Sequence, residues 1–195
     1  MHVQWWGLDV AMVPLLAWAI FMDALDGWVA RRRREDSDSG ALYDIAGDRI
    51  VELALWSFFA VRRDVNGVPL VPYWVPILII ARTVLTDYIR SVAFREGKTP
   101  FGAKTMMESG WAKQLVSSRW SRGLYGGMKA VAFCALGAEF ALQRAPQYLT
   151  LPYFRLLVDL LVYGTVGFCL LRAVPVLWDG RRYLLGGTSD VGSRL

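Results

Sequence analysis

The chain has 195 residues, of which 55% are hydrophobic and 20% are charged, with a formal net charge of +5 at pH 7. This composition excludes a disordered chain, a collagen-like repeat and a coiled coil. The hydrophobic residues come in long blocks and not in even alternation, which argues against a soluble globular domain. The composition therefore predicts a small polytopic membrane protein.

Five stretches are long and apolar enough to cross the ~30 Å hydrocarbon core of a bilayer. In chain order they are Trp5–Leu25, Ile45–Val61, Pro72–Ile89, Leu124–Leu142 and Phe154–Trp178. Backbone amides in lipid have to be hydrogen-bonded within their own segment, so each stretch is predicted to be a helix. The predicted fold class is an all-α bundle of about five transmembrane helices, forming a single membrane domain over residues 1–195.

The positions of the basic residues predict the orientation of these spans. Arginines and lysines are concentrated in the loop after the first span, in a loop over residues 91–122 and in a tail over residues 179–195. Basic loops face the cytoplasm, so we expect a multi-pass protein of the cytoplasmic (inner) membrane. Within the long loop, residues 104–120 fit either an amphipathic helix on the membrane surface or a solvated loop. The basic charge thus belongs at a membrane surface, and no nucleic-acid partner is expected.

Four carboxylates stand at the cytoplasmic ends of the first two spans. Asp23 and Asp26 are three residues apart, and Asp44 and Asp48 are four apart, so each pair lies on one helix face. The connecting loop is short, which brings the pairs to the same depth. Four facing carboxylates need compensating charge, which two divalent cations, Mg²⁺ or Mn²⁺, would supply. Two adjacent metals suit phosphoryl transfer.

Residues around these acids fit a phosphate ligand. Gly27 and Ala30 leave room beside the carboxylates, and Gly40 lets the connecting loop turn. Arg31 offers a planar pair of donors that matches a phosphate group. The segment 23–48 is therefore predicted to be the catalytic segment.

This segment resembles the signature of the CDP-alcohol phosphatidyltransferases. The eight positions that match, at the family's spacings and without a gap, are Asp23, Asp26, Gly27, Ala30, Arg31, Gly40, Asp44 and Asp48. The resemblance implies an integral membrane enzyme of phospholipid biosynthesis. Such an enzyme moves a phosphatidyl group from a CDP-linked lipid, here expected to be CDP-diacylglycerol, to an alcohol and releases CMP. It also implies a homodimer surrounded by membrane lipids.

The resemblance also implies a role for each matching residue. Asp23, Asp26 and Asp44 are expected to bind the metals, and Asp48 lies close enough to bind one as well. Asp48 is also the expected general base for the acceptor hydroxyl. The nucleotide-binding set implied by the resemblance is Asp23, Gly27, Ala30, Arg31 and Gly40.

The number of spans differs from the family's usual six, one of which precedes the helix with the first aspartates. Only 22 residues stand before Asp23, so we expect that span to be absent here. Two explanations stay open, a start site further upstream or a shortened member.

Three basic residues are predicted to bind a phosphorylated acceptor. Arg82 and Arg90 fall on one stripe of the third span, and the segment around Arg90 resembles phosphatidylinositol-phosphate synthases. Lys129 opens the fourth span, where the sequence resembles phosphatidylglycerophosphate synthases. The acceptor is therefore expected to be glycerol 3-phosphate or an inositol phosphate. The alternatives are surface anchoring for Arg90 and Lys129, and for Arg82 an ion pair with Asp87 or Glu52.

Two other functions remain open at this point. A divalent-cation transporter would use the same carboxylates, although carriers place ion ligands near the bilayer midplane and these acids lie at one face. An inactive paralogue would follow from the missing first span.

Overall fold

The structure of the chain, a computed structural model, describes residues 11, 13–18, 22, 38–64, 66–95, 97, 107, 110–143 and 152–185. For residues 38–45, 113, 117, 119, 152 and 182–185 the backbone alone is described. Four long helices account for most of these residues: α1 (Asp38–Val61), α2 (Trp74–Arg95), α3 (Arg119–Gln143) and α4 (Pro152–Leu185). The described residues contain no strand beyond an isolated bridge between Arg63 and Pro69. The predicted all-α class is confirmed.

Three of the last four predicted spans lie within one of these helices, and the other, Pro72–Ile89, begins two residues before α2; each helix is longer than its predicted span. Of the first predicted span, residues 11, 13–18 and 22 are described, and they are helical. Helices α1, α2 and α3 have 24, 22 and 25 residues, which at 1.5 Å per residue is about 33–38 Å. By length and composition alone, the described part of the chain contains one helix apolar enough to cross a membrane, Tyr153–Arg181.

Contacts divide the chain into two compact units. Unit 1 contains Met1–Pro76 and Met128–Tyr163, and unit 2 contains Ile77–Gly127 and Gly164–Leu195. Each of α2, α3 and α4 begins in one unit and ends in the other.

The core of unit 1 is aromatic and joins α1 to α3. The ring of Trp56 meets that of Phe133 edge-on with centroids 4.9 Å apart, and Phe59 stacks on Phe133 at 6.3 Å. Phe58 packs edge-on against Phe140 at 6.3 Å. Such ring pairs contribute stabilising free energy beyond that of their buried area. They also fix the alignment of the two helices along their axes.

A tight turn connects α1 to α2 in unit 1. The Asp64 carboxylate accepts hydrogen bonds from the backbone amides of Asn66 (2.9 Å) and Val68 (2.7 Å). This is the local bonding for which Asp is favoured in turns. Gly67 has φ +79°, a left-handed conformation that glycine adopts without a steric cost. The chain thereby reverses direction within a few residues of the end of α1.

One arginine ties this turn to α3 and α4. The guanidinium of Arg155, on α4, donates to Glu139 on α3 (2.9 Å) and to the backbone oxygen of Leu70 (3.2 Å). It also pairs with Asp159 at 3.0 Å. Glu139 is buried and accepts a second hydrogen bond, from Gln143 at 2.9 Å. Arg155 therefore holds three segments of unit 1 together.

Removing this arginine is expected to destabilise unit 1. In an Arg155→Met variant the Glu139 carboxylate would stay buried without its cation, which costs about 3 kcal/mol of unfolding free energy. The check is the thermal unfolding midpoint of the purified protein in detergent. The double variant Arg155→Met, Glu139→Leu is the control, because removing both charges should recover most of the lost stability. An unchanged midpoint in the single variant would contradict this role.

The core of unit 2 is formed by α2, α4 and a short helical segment between α2 and α3. This segment, the linker helix, is an α-turn Gly110–Ala112 that continues as a π-helix Lys113–Ser117. Ala112 and Val116 of the linker helix pack in a buried cluster with Ile89 and Val176. The Ser118 hydroxyl then accepts a hydrogen bond from the amide of Ser121 at 3.1 Å, which caps the start of α3.

The outer faces of the helices are apolar. Large hydrophobic side chains are exposed along α2, α3 and α4; among them are Ile77, Val84, Val131, Leu156, Leu160, Leu171 and Val174. So much exposed apolar surface is unusual for a water-soluble monomer and suits helices surrounded by hydrocarbon.

Candidate active site

The predicted second pair of carboxylates stands on the inward face of α1. Asp44, Asp48, Glu52 and Trp56 follow one another at steps of four, and α1 is helical throughout this range, so the four positions share one face. Glu52 and Trp56 are buried, at 3% and 0% exposure. Asp48, one turn earlier, is exposed. The face of α1 that enters the core of unit 1 therefore ends toward Asp48, whose side chain is exposed.

The remaining predicted residues of the catalytic segment are only partly described. The backbones of Gly40 and Asp44 lie within α1. Asp23, Asp26, Gly27, Ala30 and Arg31 lie outside the described residues.

The donor set of this segment fits a hard divalent cation. Among the described residues no group of three acidic, histidine or cysteine side chains could hold a metal ion. Three of the four predicted ligand side chains, those of Asp23, Asp26 and Asp44, stand outside that set. Asp48 is described, and its exposed carboxylate at the end of the inward face offers the oxygen ligands that Mg²⁺ and Mn²⁺ prefer.

A buried ion pair lies one turn of α1 beyond Asp48. The Glu52 carboxylate accepts hydrogen bonds from Lys129 of α3 at 2.9 Å and from Arg49 at 3.3 Å. Glu52 stands four residues after Asp48, which is about 6 Å along the helix axis. Lys129, one of the three predicted acceptor cations, is thus anchored in unit 1 within one helical turn of the predicted general base.

Arg82 is buried in unit 2, and no carboxylate among the described residues is paired with it. Its side chain points inward on α2 with Thr83 and Thr86, and Arg82 is 8% exposed. Its Nε and Nη1 groups donate no hydrogen bond to any described group. Of the two alternative partners, Asp87 pairs with Arg90 at 3.2 Å and Glu52 binds the two cations named above.

A second buried arginine, Arg172 of α4, accompanies Arg82 in unit 2. The positive charges of the two side chains lie close enough to repel each other. Arg172 donates to the backbone oxygens of Ser121 (2.6 Å) and Val116 (3.4 Å), and its guanidinium lies over the ring of Tyr125. Its Nε has no partner among the described residues. Two neighbouring buried guanidinium groups with unsatisfied N–H donors form a strong candidate binding site for an anion.

Arg172 is not among the residues predicted from the sequence, although the sequence contains a signal for it. Arg172 interrupts the longest apolar stretch of the chain, and an ionisable residue inside a span is a functional candidate by default. Arg90, which was selected, lies two turns beyond Arg82 on α2 and is half-buried.

Comparison with known protein families decides the assignment. The family model described as CDP-alcohol phosphatidyltransferase matches residues 3–171. The chain belongs to this family. The match runs from the predicted first span to α4 and includes the whole segment 23–48. No curated protein and no solved structure matches the chain.

Membership confirms the predicted reaction class at the level of the family. CDP-alcohol phosphatidyltransferases transfer a phosphatidyl group from a CDP-alcohol to an alcohol acceptor in phospholipid biosynthesis. The family is membrane-associated and generally depends on divalent cations. The apolar outer faces of the helices agree with a membrane environment.

Proposed function

We propose that the chain transfers the phosphatidyl group of CDP-diacylglycerol to a phosphorylated alcohol, either glycerol 3-phosphate or an inositol phosphate, and releases CMP. The reaction takes place at the cytoplasmic face of the inner membrane, in a homodimer. The observation that supports a phosphorylated acceptor is the buried pair Arg82 and Arg172, whose N–H groups without partners among the described residues favour an anionic ligand.

Asp23, Asp26, Asp44 and Asp48 would hold two divalent cations, Mg²⁺ or Mn²⁺. When bound, these would draw negative charge from the diphosphate and make CMP a better leaving group. Asp23, Gly27, Ala30, Arg31 and Gly40 bind the cytidine diphosphate of the donor. This nucleotide set follows from the match of segment 23–48 to the family signature.

Asp48 is the general base of the proposed reaction. Its carboxylate takes the proton of the acceptor hydroxyl, whose oxygen forms a bond to the phosphorus of the phosphatidyl group. The bond from that phosphorus to the oxygen of CMP breaks, and CMP leaves with the electron pair. The exposure of Asp48 at the end of the inward face of α1 supports this role, because an acceptor has to reach it from water.

The acceptor phosphate is bound by Arg82, assisted by Arg172. Arginine suits this task because its planar group donates two parallel hydrogen bonds to phosphate oxygens. Arg90 and Lys129 are the other proposed acceptor-binding cations. Each already has an acidic partner, Asp87 and Glu52 respectively, which holds the side chain in place for a ligand.

CMP release by the purified protein tests the proposed function. The protein in detergent is given CDP-diacylglycerol, with glycerol 3-phosphate, inositol phosphate, inositol or serine in separate reactions. We expect release with one phosphorylated acceptor, its loss on chelation of divalent cations by EDTA, and its return with Mg²⁺ or Mn²⁺. Release with serine or inositol only would contradict the phosphorylated acceptor. Absence of release with every acceptor would favour an inactive member.

A further inference from the structure

Unit 1 contains an apolar cavity of about 320 Å³ between α1, α3 and the helical residues before α1. Its walls include Leu55, Phe58 and Phe59 of α1, Gly137 and Phe140 of α3, and Leu16. Its lining is almost entirely apolar, so the cavity suits an apolar ligand. Its size is at the lower end of the range for small-molecule sites.

The cavity continues the helix face that carries Asp48. Leu55 and Phe59 follow Asp48 by seven and eleven residues, close to two and three helical turns, so the three residues share one face of α1. Along the helix axis Leu55 stands about 10 Å and Phe59 about 16 Å from Asp48. Half of the ~30 Å hydrocarbon core is about 15 Å. A donor whose headgroup lies at the level of Asp48 therefore has the distal half of its acyl chain at the depth of the cavity.

Gly137 keeps part of this cavity open. A Cβ atom at this position would meet the Val13 side chain at 3.6 Å, an ordinary van der Waals contact. A single methyl group therefore fits without displacement. Because Gly137 lines the cavity, the further carbons of a leucine are expected to occupy part of it.

We propose that this cavity binds the distal part of one acyl chain of the CDP-linked lipid donor, and that Gly137 determines which chain lengths are accepted. This inference rests on the proposed function, because it assigns the donor headgroup to the level of Asp48. The cavity wall on α1 continues from Asp48, which places the cavity along the path of a donor whose headgroup lies at Asp48. A bulk phospholipid would lack this headgroup contact, and the competition experiment below separates the two occupants.

Chain-length dependence in a Gly137→Leu variant tests the proposal. Two donors are compared, a dioleoyl CDP-lipid and a dioctanoyl CDP-lipid. The dioctanoyl chains are about half as long, so that, measured from Asp48, they end before they reach the level of Leu55. We expect the variant to lower kcat/KM about tenfold for the dioleoyl donor, since overfilling a packed site costs this much, and to leave the dioctanoyl value unchanged. Gly167→Leu on the exposed face of α4 is the matched control and should change neither value. Equal effects of Gly137→Leu on both donors would overturn the proposal.

Photocrosslinking separates this proposal from the proposed function, since it requires binding but no turnover. The wild-type protein is irradiated with a CDP-lipid that carries a diazirine in the distal half of one acyl chain, and the labelled peptides are sequenced. Labelling of the peptide with Leu55, Phe58 and Phe59, competed by unlabelled CDP-diacylglycerol, supports the cavity as the site even if no CMP is released. Labelling elsewhere, or labelling competed equally by phosphatidylcholine, overturns the proposal even if the enzyme is active.

Discussion

An Asp48→Asn variant is expected to release CMP about 10³-fold more slowly than the wild type, because an amide cannot take the proton of the acceptor hydroxyl. Asp48 is exposed at the end of the inward face of α1, so the substitution removes a charge without disturbing the buried core of unit 1. The thermal unfolding midpoint should therefore stay close to that of the wild type. Single-turnover CMP release with saturating donor and acceptor measures the chemical step.

A matched control separates the loss of this base from the loss of any carboxylate near the cytoplasm. Asp179 of α4, which is half-buried near the end of that helix, serves this purpose. Asp179→Asn should retain most of the activity. Near-normal CMP release by Asp48→Asn would refute the assignment of the base while leaving membership of the family untouched.

The positions of the helices were predictable because a membrane span has to be apolar over about 20 residues. The ends of the helices were not predictable in the same way. Helix α1 begins at Asp38, seven residues before the predicted span, and α2 continues to Arg95. Backbone hydrogen bonds hold a helix together whether its side chains are apolar or polar, so helices continue into the polar region. Helix α2 ends where Gly97 adopts φ +74°.

The shared face of Asp44 and Asp48 was predictable from their spacing, and the continuous helix α1 confirms that both positions lie on one side. Tertiary pairing of charges was not predictable. Glu52 could have paired with any cation of the later spans, and packing of α1 against α3 selects Lys129. Sequence spacing reports which residues share a helix face, but not which faces meet. The surroundings of the Arg82 side chain could therefore not be predicted from the sequence and are known only from the structure.

Arg82→Met is expected to raise the KM for the phosphorylated acceptor about 30-fold, which corresponds to the ~2 kcal/mol typical of hydrogen bonds to a charged group. Methionine retains much of the apolar stem but removes the donors. The KM for CDP-diacylglycerol should change little, because the proposed nucleotide site uses other residues. Steady-state kinetics with each substrate varied in turn gives the two values. Arg82→Lys should recover only part of the acceptor affinity, since a point charge replaces a planar pair of donors.

Thermal stability distinguishes acceptor binding from a structural role for Arg82. If the guanidinium stabilised the fold, its removal would lower the unfolding midpoint. Arg82 is instead buried beside the like charge of Arg172, with Nε and Nη1 unsatisfied within the described structure. Such a cation costs free energy in the unliganded protein, and residues of this kind are retained where function requires them. Arg82→Met should therefore raise the unfolding midpoint while it weakens acceptor binding, whereas Arg95→Ala, at the exposed end of α2, should change neither. A lower midpoint with an unchanged acceptor KM would assign Arg82 to the fold and leave the phosphate of the acceptor without its main ligand.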